Sequence, residues 1–226
     1  MKKSHLILNI ILASLIVLSD ILYTFVFTYN LLVKSITSAL FVLMGLINLI
    51  IAIRLKSTSL KYPIIMCIAL FLAMIGDIAI NLIFELGAGF FAIGHVFYFI
   101  AYCQLIKFNW KDLIYGIFIF VPISILIIFA PIFDFGGIFL MIVCLVYALI
   151  ISCMVSKAIS NFIQEKSLLN LIILIGSILF CVSDLMLLFD NFTGLPHIMG
   201  ILCLATYYPA QVFLAYSVYQ YTQQSK

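Results

Sequence analysis

The segment most informative about the fold runs from Ala73 to Gln104 and reads AMIGDIAINLIFELGAGFFAIGHVFYFIAYCQ. It places a carboxylate, Asp77, and an imidazole, His95, inside two apolar runs that are long enough to cross a bilayer. An ionisable side chain at membrane depth costs about 2.5 to 3.5 kcal/mol on insertion scales, so it normally has a partner and a role. The stretch therefore predicts a functional site within a helical membrane protein.

Both runs carry polar side chains at helical spacing. Asp77 and Asn81 are four residues apart, and His95 and Tyr98 are three apart on the following run, so each pair shares one helix face. The intervening sequence at 85–89, ELGAG, predicts a short turn. The two helices should therefore be antiparallel neighbours whose polar faces can meet.

The composition places the whole chain in the membrane. Of its 226 residues 67% are hydrophobic and 8% are charged, whereas about a quarter are charged in soluble domains. The sequence lacks the alternating ten-residue segments of a β-barrel, so the expected fold is an all-α polytopic bundle forming one transmembrane domain over residues 1–226. The expected partner is the lipid bilayer, and the net charge of +3 gives no reason to expect nucleic acid. Six cysteines lie in apolar runs without a CxxC motif, as is typical of small buried residues.

Eight apolar runs of about 20 residues fit into the chain with short connections. We expect spans near 6–26, 34–53, 62–84, 88–107, 112–130, 135–156, 167–189 and 197–219. The first span follows Met1-Lys2-Lys3 but is too long for a signal peptide and lacks an A-x-A cleavage site, so it should be a retained anchor.

The basic residues predict the orientation. Ten of the eleven lysines and arginines fall at a terminus or in an even-numbered loop of this eight-span arrangement. They are Lys2, Lys3, Arg54, Lys56, Lys61, Lys107, Lys111, Lys157, Lys166 and Lys226. By the positive-inside rule both termini should be cytoplasmic, and we expect localisation in a bacterial cell membrane.

Lys34 is the exception, at the outward start of the second span. It could extend toward the outer lipid headgroups, or it could face inward with a phosphate or carboxylate partner. A stripe of Lys34, Thr37 and Asn48 favours the inward face. Asp20 in the first span lies at a comparable depth and is one candidate partner.

A second group of polar residues occupies the last two spans. Ser183 and Asp184 lie near the outward end of the seventh span, and Tyr207 and Gln211 are four apart in the eighth. The separations Asp77 to Gln104 (104 − 77) and Asp184 to Gln211 (211 − 184) are both 27 residues. This echo is compatible with a 4+4 parallel repeat of the kind found among transporters. The fifth and sixth spans show only packing residues.

The two aspartates should share one cavity. At 1.5 Å per helical residue, Asp77 lies about 12 Å before Glu85 and Asp184 about 9 Å before Asp190, so both fall at a similar depth. In a pocket of low dielectric the pKa values of two neighbouring carboxyl groups are pushed apart. One group can then act as an acid and the other as a base. That arrangement suits acid-catalysed cleavage of an acetal or ether bond. It also suits proton relay in a lipid or solute carrier, and a purely structural role for these polar groups is a third reading.

The ordered motifs resemble those of the YhhN family, the lysoplasmalogenases. These motifs are Gly76-Asp77, Gly94-His95-x-x-Tyr98, Phe180-x-x-Ser183-Asp184 and Tyr207-x-x-x-Gln211, preceded by Lys34-Ser35-Ile36-Thr37, which is similar to the family's Lys-Pro-x-Thr. Ser35 stands where the family usually has proline, and Gly94 where it favours alanine. The resemblance covers nearly the whole chain and implies an eight-helix enzyme that hydrolyses the vinyl ether of lysoplasmalogens to a fatty aldehyde and glycerophosphoethanolamine or glycerophosphocholine.

The residues and the resemblance together predict a mechanism without cofactor or metal. Asp77 and Asp184 would be the acid and the base, in an order that the sequence leaves open. The lysophospholipid chain would lie among Phe90, Phe91 and Phe97. The other polar residues would bind the substrate: Lys34 and His95 at its phosphate, and Thr37, Asn81, Tyr98, Ser183, Tyr207 and Gln211 at water or glycerol oxygens.

Overall fold

The computed structural model describes residues 2–28, 30–195 and 198–224. Met1 and Lys226, which belong to the expected anchor and charge pattern, lie outside these residues. Within them the chain forms eight long helices, each long and apolar enough to cross a membrane. The all-α membrane bundle predicted from composition is therefore confirmed. The helices are α1 (Lys2–Phe25), α2 (Leu31–Arg54), α3 (Lys61–Ala79), α4 (Phe84–Leu105), α5 (Ile114–Phe129), α6 (Ile138–Gln164), α7 (Leu168–Phe192) and α8 (Ile198–Gln224).

The turn between α3 and α4 lies earlier than the sequence suggests. It occupies residues 80–83, and the predicted turn at 85–89 is instead the first part of α4. Two features explain the early start. Glu85 lies in the first turn, where a negative charge is favoured by the helix dipole. Gly87 lies against Ile80, and a Cβ at this position would approach the Cα of Ile80 to 2.5 Å. The glycine therefore permits close packing here rather than breaking the helix.

The loop between α6 and α7 also differs from the prediction, because α6 continues to Gln164. Lys157, which the charge pattern assigned to this loop, is inside α6 with 0% exposure. Its Nζ donates to Oδ2 of Asp112 over 2.6 Å, and Ser160 donates to Oδ1 of the same carboxylate over 2.6 Å. Asp112 belongs to a short 3-10 helix, Trp110–Leu113, that leads into α5. Lys157 can be buried because the carboxylate of Asp112 compensates its charge. The pair also joins the start of α5 to α6.

The bundle is built around α8, which packs against α1, α2, α3 and α7, while α6 packs against α4, α5 and α7. Hydrogen bonds from polar side chains link three helices of the first group, α1, α2 and α8. The side-chain amides of Asn9 and Asn48 exchange two hydrogen bonds of 3.0 and 2.8 Å, and Asn48 also donates to the carbonyl of Ala215. Because amides inside a bilayer have no water to bind, this link fixes the register of α1, α2 and α8.

Candidate active site

A polar cavity of about 260 Å³ opens among the helices where α3 and α7 carry their aspartates. Its walls come from α1, α2, α3, α4, α7 and α8. Six of the ten predicted site residues line it: Lys34, Asp77, Asn81, Ser183, Asp184 and Tyr207. The structure therefore brings the two carboxylates and the lysine to one space, as the depth argument predicts.

Asp77 is held as an acceptor of several hydrogen bonds. Its Oδ2 receives the hydroxyl of Ser38 at 2.6 Å and that of Tyr207 at 2.8 Å. Its Oδ1 lies 3.9 Å from Nζ of Lys34. Asn81 lies in the turn after α3, where its side-chain amide donates to the backbone carbonyl of Asp77. The hydrogen-bond donors and the ammonium group favour the negative charge on this carboxyl group, whereas its burial opposes that charge.

Lys34 is buried, with 8% exposure, and its ion pair is with Asp77. The alternative in which Lys34 extends to the lipid headgroups is therefore wrong, and so is pairing with Asp20. Asp20 is also buried, and it accepts a hydrogen bond of 3.3 Å from Thr24 one helical turn away. The helix start explains the placement of Lys34. Asn30 caps α2 by accepting from the backbone of Leu32 and Val33, so the helix begins at Leu31 and Lys34 lies in its first turn.

Asp184 lies in a different network that includes a residue the sequence analysis missed. The hydroxyl of Tyr147 in α6 donates to Oδ2 of Asp184 over 2.6 Å. Nε2 of His95 lies 3.1 Å from the same oxygen and 2.9 Å from the Tyr147 hydroxyl. The expectation that α6 carries only packing residues is therefore wrong. A buried tyrosine hydroxyl normally finds a partner, and a lone tyrosine in an apolar span was the available signal.

His95 has no exposed surface and lines neither described cavity that touches Asp184. It therefore contacts Asp184 and Tyr147 instead of the phosphate position that the sequence analysis assigned to it. Its Nδ1 is buried without a hydrogen-bond partner among the described residues.

Three other predicted residues lie away from the polar cavity. Thr37 faces α1, where its hydroxyl lies 2.6 Å from that of Ser19. Tyr98 donates to Oε1 of Gln211 over 2.9 Å, and both side chains are buried in the bundle. This bond joins α4 to α8 beneath the site. These side chains join α1 to α2 and α4 to α8, and they do not line the cavity themselves.

The two aspartates of the suggested internal repeat line the same cavity, whereas its two glutamines do not. Asp77 and Asp184 both line the cavity, whereas Gln104 is exposed and bonds only to the backbone of Ile100. Gln211 is fully buried against Tyr98. The equal separations of 27 residues therefore do not place the two glutamines in equivalent environments.

The two aspartates lie in contrasting surroundings within one cavity. Asp77 is next to an ammonium group, whereas the hydrogen bonds to Asp184 come from a tyrosine and a histidine. Such a difference allows one carboxyl group to hold a proton while the other is ionised. Among the described residues no group of three or more His, Cys, Asp or Glu side chains is arranged to hold a metal ion.

These features define an integral membrane protein whose described residues form eight helices able to span a membrane, around a polar cavity lined by Asp77, Asp184 and Asp190. The YhhN family model matches residues 29–218, which is most of the chain, and the protein belongs to the YhhN family. The match spans α2 to α7 and most of α8, and so includes every residue that lines the cavity except Tyr23, Thr24 and Thr28. No curated protein and no solved structure matches the chain.

The two departures from the family motifs are small in structural terms. Ser35 lies in the first turns of α2, where its hydroxyl donates to the carbonyl of Leu31. Gly94 faces the backbone of α3, and a Cβ there would lie 3.6 Å from the carbonyl oxygen of Ala69, an ordinary contact. The alanine that the family favours would therefore fit at this position.

Proposed function

We propose that this protein is a membrane-embedded hydrolase that cleaves the vinyl ether bond of lysoplasmalogens to a fatty aldehyde and glycerophosphoethanolamine or glycerophosphocholine. The observation that carries the proposal is the placement of Asp77 and Asp184, in unlike surroundings, on one cavity with Lys34. Membership of the YhhN family supports it, since that family is associated with hydrolases.

The surroundings of the aspartates favour Asp184 as the acid. Asp184 lines both the polar cavity and a neighbouring apolar slot, so it lies at a boundary between polar and apolar surfaces. The vinyl group of a lysoplasmalogen lies at the same kind of boundary, between its hydrocarbon chain and its glycerol. Transfer of the Asp184 proton to the vinyl carbon remote from oxygen consumes the double bond and forms an oxocarbenium ion.

Asp77 is suited to the role of base. As water adds to the oxocarbenium carbon, Asp77 takes one of its protons, which gives a hemiacetal. The hemiacetal hydroxyl then returns a proton to Asp184 as the bond to glycerol oxygen breaks, and Asp77 protonates that oxygen. The products are the aldehyde and a free glycerol hydroxyl, and both carboxyl groups regain their starting states.

Lys34 is the candidate phosphate ligand. Its ammonium group lines the cavity at 3.9 Å from Asp77, a separation that leaves Nζ without a short ion pair. A phosphate could therefore approach Nζ without displacing a tight carboxylate contact. Three other predicted residues on the walls, Asn81, Ser183 and Tyr207, are candidates for contacts with glycerol or water.

A detergent-solubilised preparation tests this proposal. The purified protein should release aldehyde from lysoplasmalogen without a membrane gradient, whereas a carrier would need sealed vesicles. The matched control substrate is the saturated alkyl ether lysolipid, which has no double bond to protonate and should remain intact. Absence of aldehyde from the vinyl ether, together with uptake by sealed vesicles, would favour the carrier.

A further inference from the structure

An apolar slot lies beside the polar cavity, between α4, α5, α6 and α7. Its free volume is about 60 Å³, smaller than the 260 Å³ of the polar cavity. Its walls are aliphatic and aromatic apart from two cysteines and the hydrogen-bonded pair Tyr147 and Asp184. The slot therefore offers a small space with almost entirely apolar walls.

The slot and the polar cavity share part of their walls. Ile80, Phe91, Asp184 and Leu187 line both spaces. A molecule with one polar end and one apolar end could therefore occupy both at once, with its junction beside the carboxyl group of Asp184. Phe90, Phe91 and Phe97 are the residues predicted from the sequence to surround the hydrocarbon chain of the substrate. Phe91 lines the slot, whereas Phe90 and Phe97 do not.

The wall formed by α5 separates the slot from the surrounding lipid. The backbone of α5 packs against α6 and the short 3-10 helix, but comes near no other helix of the described chain. Its contribution to the slot consists of Ile123 and Ile127, whereas Val121 and Ile125 are exposed on its outer face. Pro122 lies inside this helix and cannot donate a backbone hydrogen bond. Within the described chain, α5 is therefore the helix that lies between the slot and the outer surface on this side.

We propose that this slot binds the single hydrocarbon chain of a membrane amphiphile whose polar part occupies the polar cavity. The inference rests on the proposed function and adds to it the path of the chain, past Asp184 and Tyr147 and against α5. Because the chain leaves lipid and not water, its transfer into the slot gains little hydrophobic free energy. The slot therefore acts by placing the first chain carbons next to Asp184, and it should affect turnover of long-chain substrates more than their affinity.

Photolabelling tests the location of the chain independently of catalysis. The probe is a saturated alkyl ether lysophosphatidylethanolamine with a diazirine in its chain, which cannot be cleaved by vinyl ether protonation. We expect the label on slot residues such as Phe84, Ile123 and Ile127, and we expect unlabelled lysolipid to compete with it. Labelling spread evenly over lipid-facing residues such as Ile10 and Phe118, without competition, would overturn the inference.

Filling the slot tests its effect on the reaction. Ala148 is buried and lines the slot, so Ala148→Leu should obstruct the chain. Ala205→Leu is the matched control, because Ala205 is exposed on α8. We expect Ala148→Leu to lower turnover of a long-chain lysoplasmalogen about tenfold or more, since small displacements of a reacting group are costly. A vinyl ether with a two-carbon chain should be cleaved at the wild-type rate.

Each remaining outcome has one meaning. Equal losses on the long and short substrates would indicate damage to the fold, and unchanged turnover of the long substrate would show that the chain does not use the slot; either result overturns the inference. If the wild-type protein cleaves neither substrate, the proposed hydrolase activity is wrong. The photolabelling pattern then still decides whether the slot binds a chain.

Discussion

The hydroxyl of Tyr147 in α6 lies 2.6 Å from Oδ2 of Asp184 in α7. His95 of α4 reaches both groups through one ring nitrogen, so three helices meet at this carboxylate. A carboxyl group fixed in this way has one oxygen occupied by donors, while its side chain still lines the cavity. The relationship gives Tyr147 and His95 a positioning role toward the group proposed as the acid.

Replacing Tyr147 with phenylalanine should lower kcat about tenfold or more with little change in KM. The ring would still pack, but Asp184 would lose one of its two donors, and small displacements of a catalytic group are costly. Steady-state kinetics on lysoplasmalogen measures the effect, and the pH profile of kcat should also shift. Tyr102→Phe is the control, because Tyr102 is a buried tyrosine bonded to Ser177 and lines neither cavity. Equal losses in both variants would assign Tyr147 to stability alone.

Asp77→Asn and Asp184→Asn should each remain folded and lose about 10² or more in turnover, the scale expected for removal of an acid or base. Asparagine keeps the shape of the side chain but cannot exchange a proton in these roles. The measurement is aldehyde release, alongside the thermal stability of each variant in detergent. Asp134→Asn serves as the control, since Asp134 is exposed in the loop before α6. Near-normal activity of either site variant would refute the two-carboxylate mechanism.

Lys34→Arg and Lys34→Met should both raise KM more than they lower kcat. An ammonium group is a compact charge, and the planar guanidinium of arginine is not equivalent to it in a confined cavity. A headgroup contact that is equally strong in ground and transition states affects binding in this way. The loss should shrink for a vinyl ether substrate without phosphate, because the missing interaction cannot then be lost. Losses of the same size on both substrates would instead assign Lys34 to the support of Asp77.

Lys157→Met should destabilise the protein by about 3–5 kcal/mol, because it leaves Asp112 buried without its cation. Adding Asp112→Asn should restore part of that loss, since the double variant has no unpaired charge. Unfolding in detergent measures both values, and the KM of the folded fraction should not change. Lys166→Met is the comparison, as Lys166 is exposed in the loop before α7. A loss for Lys157→Met no larger than for Lys166→Met would show that the ion pair contributes nothing.

The orientation proposed from the basic residues places both termini in the cytoplasm. Reporter fusions after Leu82, Asp134 and Thr193 should then report an external location, and those after Ser57, Asn109 and Lys166 a cytoplasmic one. These positions lie in the loops as the structure defines them. Inversion at two adjacent loops would contradict the orientation. Lys157 no longer counts as a loop residue, but Arg54, Lys56, Lys107 and Lys111 carry the same asymmetry.

The sequence alone was enough to predict the class of fold, and most of the site residues predicted from it line the polar cavity. Eight apolar runs are readable because every backbone group in a bilayer must be bonded within its own helix, which makes span length and composition informative. Asp77, Asp184 and Lys34 were recognisable for a related reason. Charged side chains at membrane depth are costly, so their presence indicates a site before any contact is known.

The pairing of the polar groups follows from the packing of the helices and could not be predicted from the sequence. Sequence spacing relates residues on one helix, whereas Lys34 and Asp77, Tyr147 and Asp184, and Lys157 and Asp112 pair across helices whose rotation depends on packing. The same limit explains the errors at Gly87, where close packing against Ile80 extends α4, and at His95, which is turned away from the polar cavity. Helix periodicity predicts a face but not its neighbour, and the neighbour fixes the chemistry of each side chain.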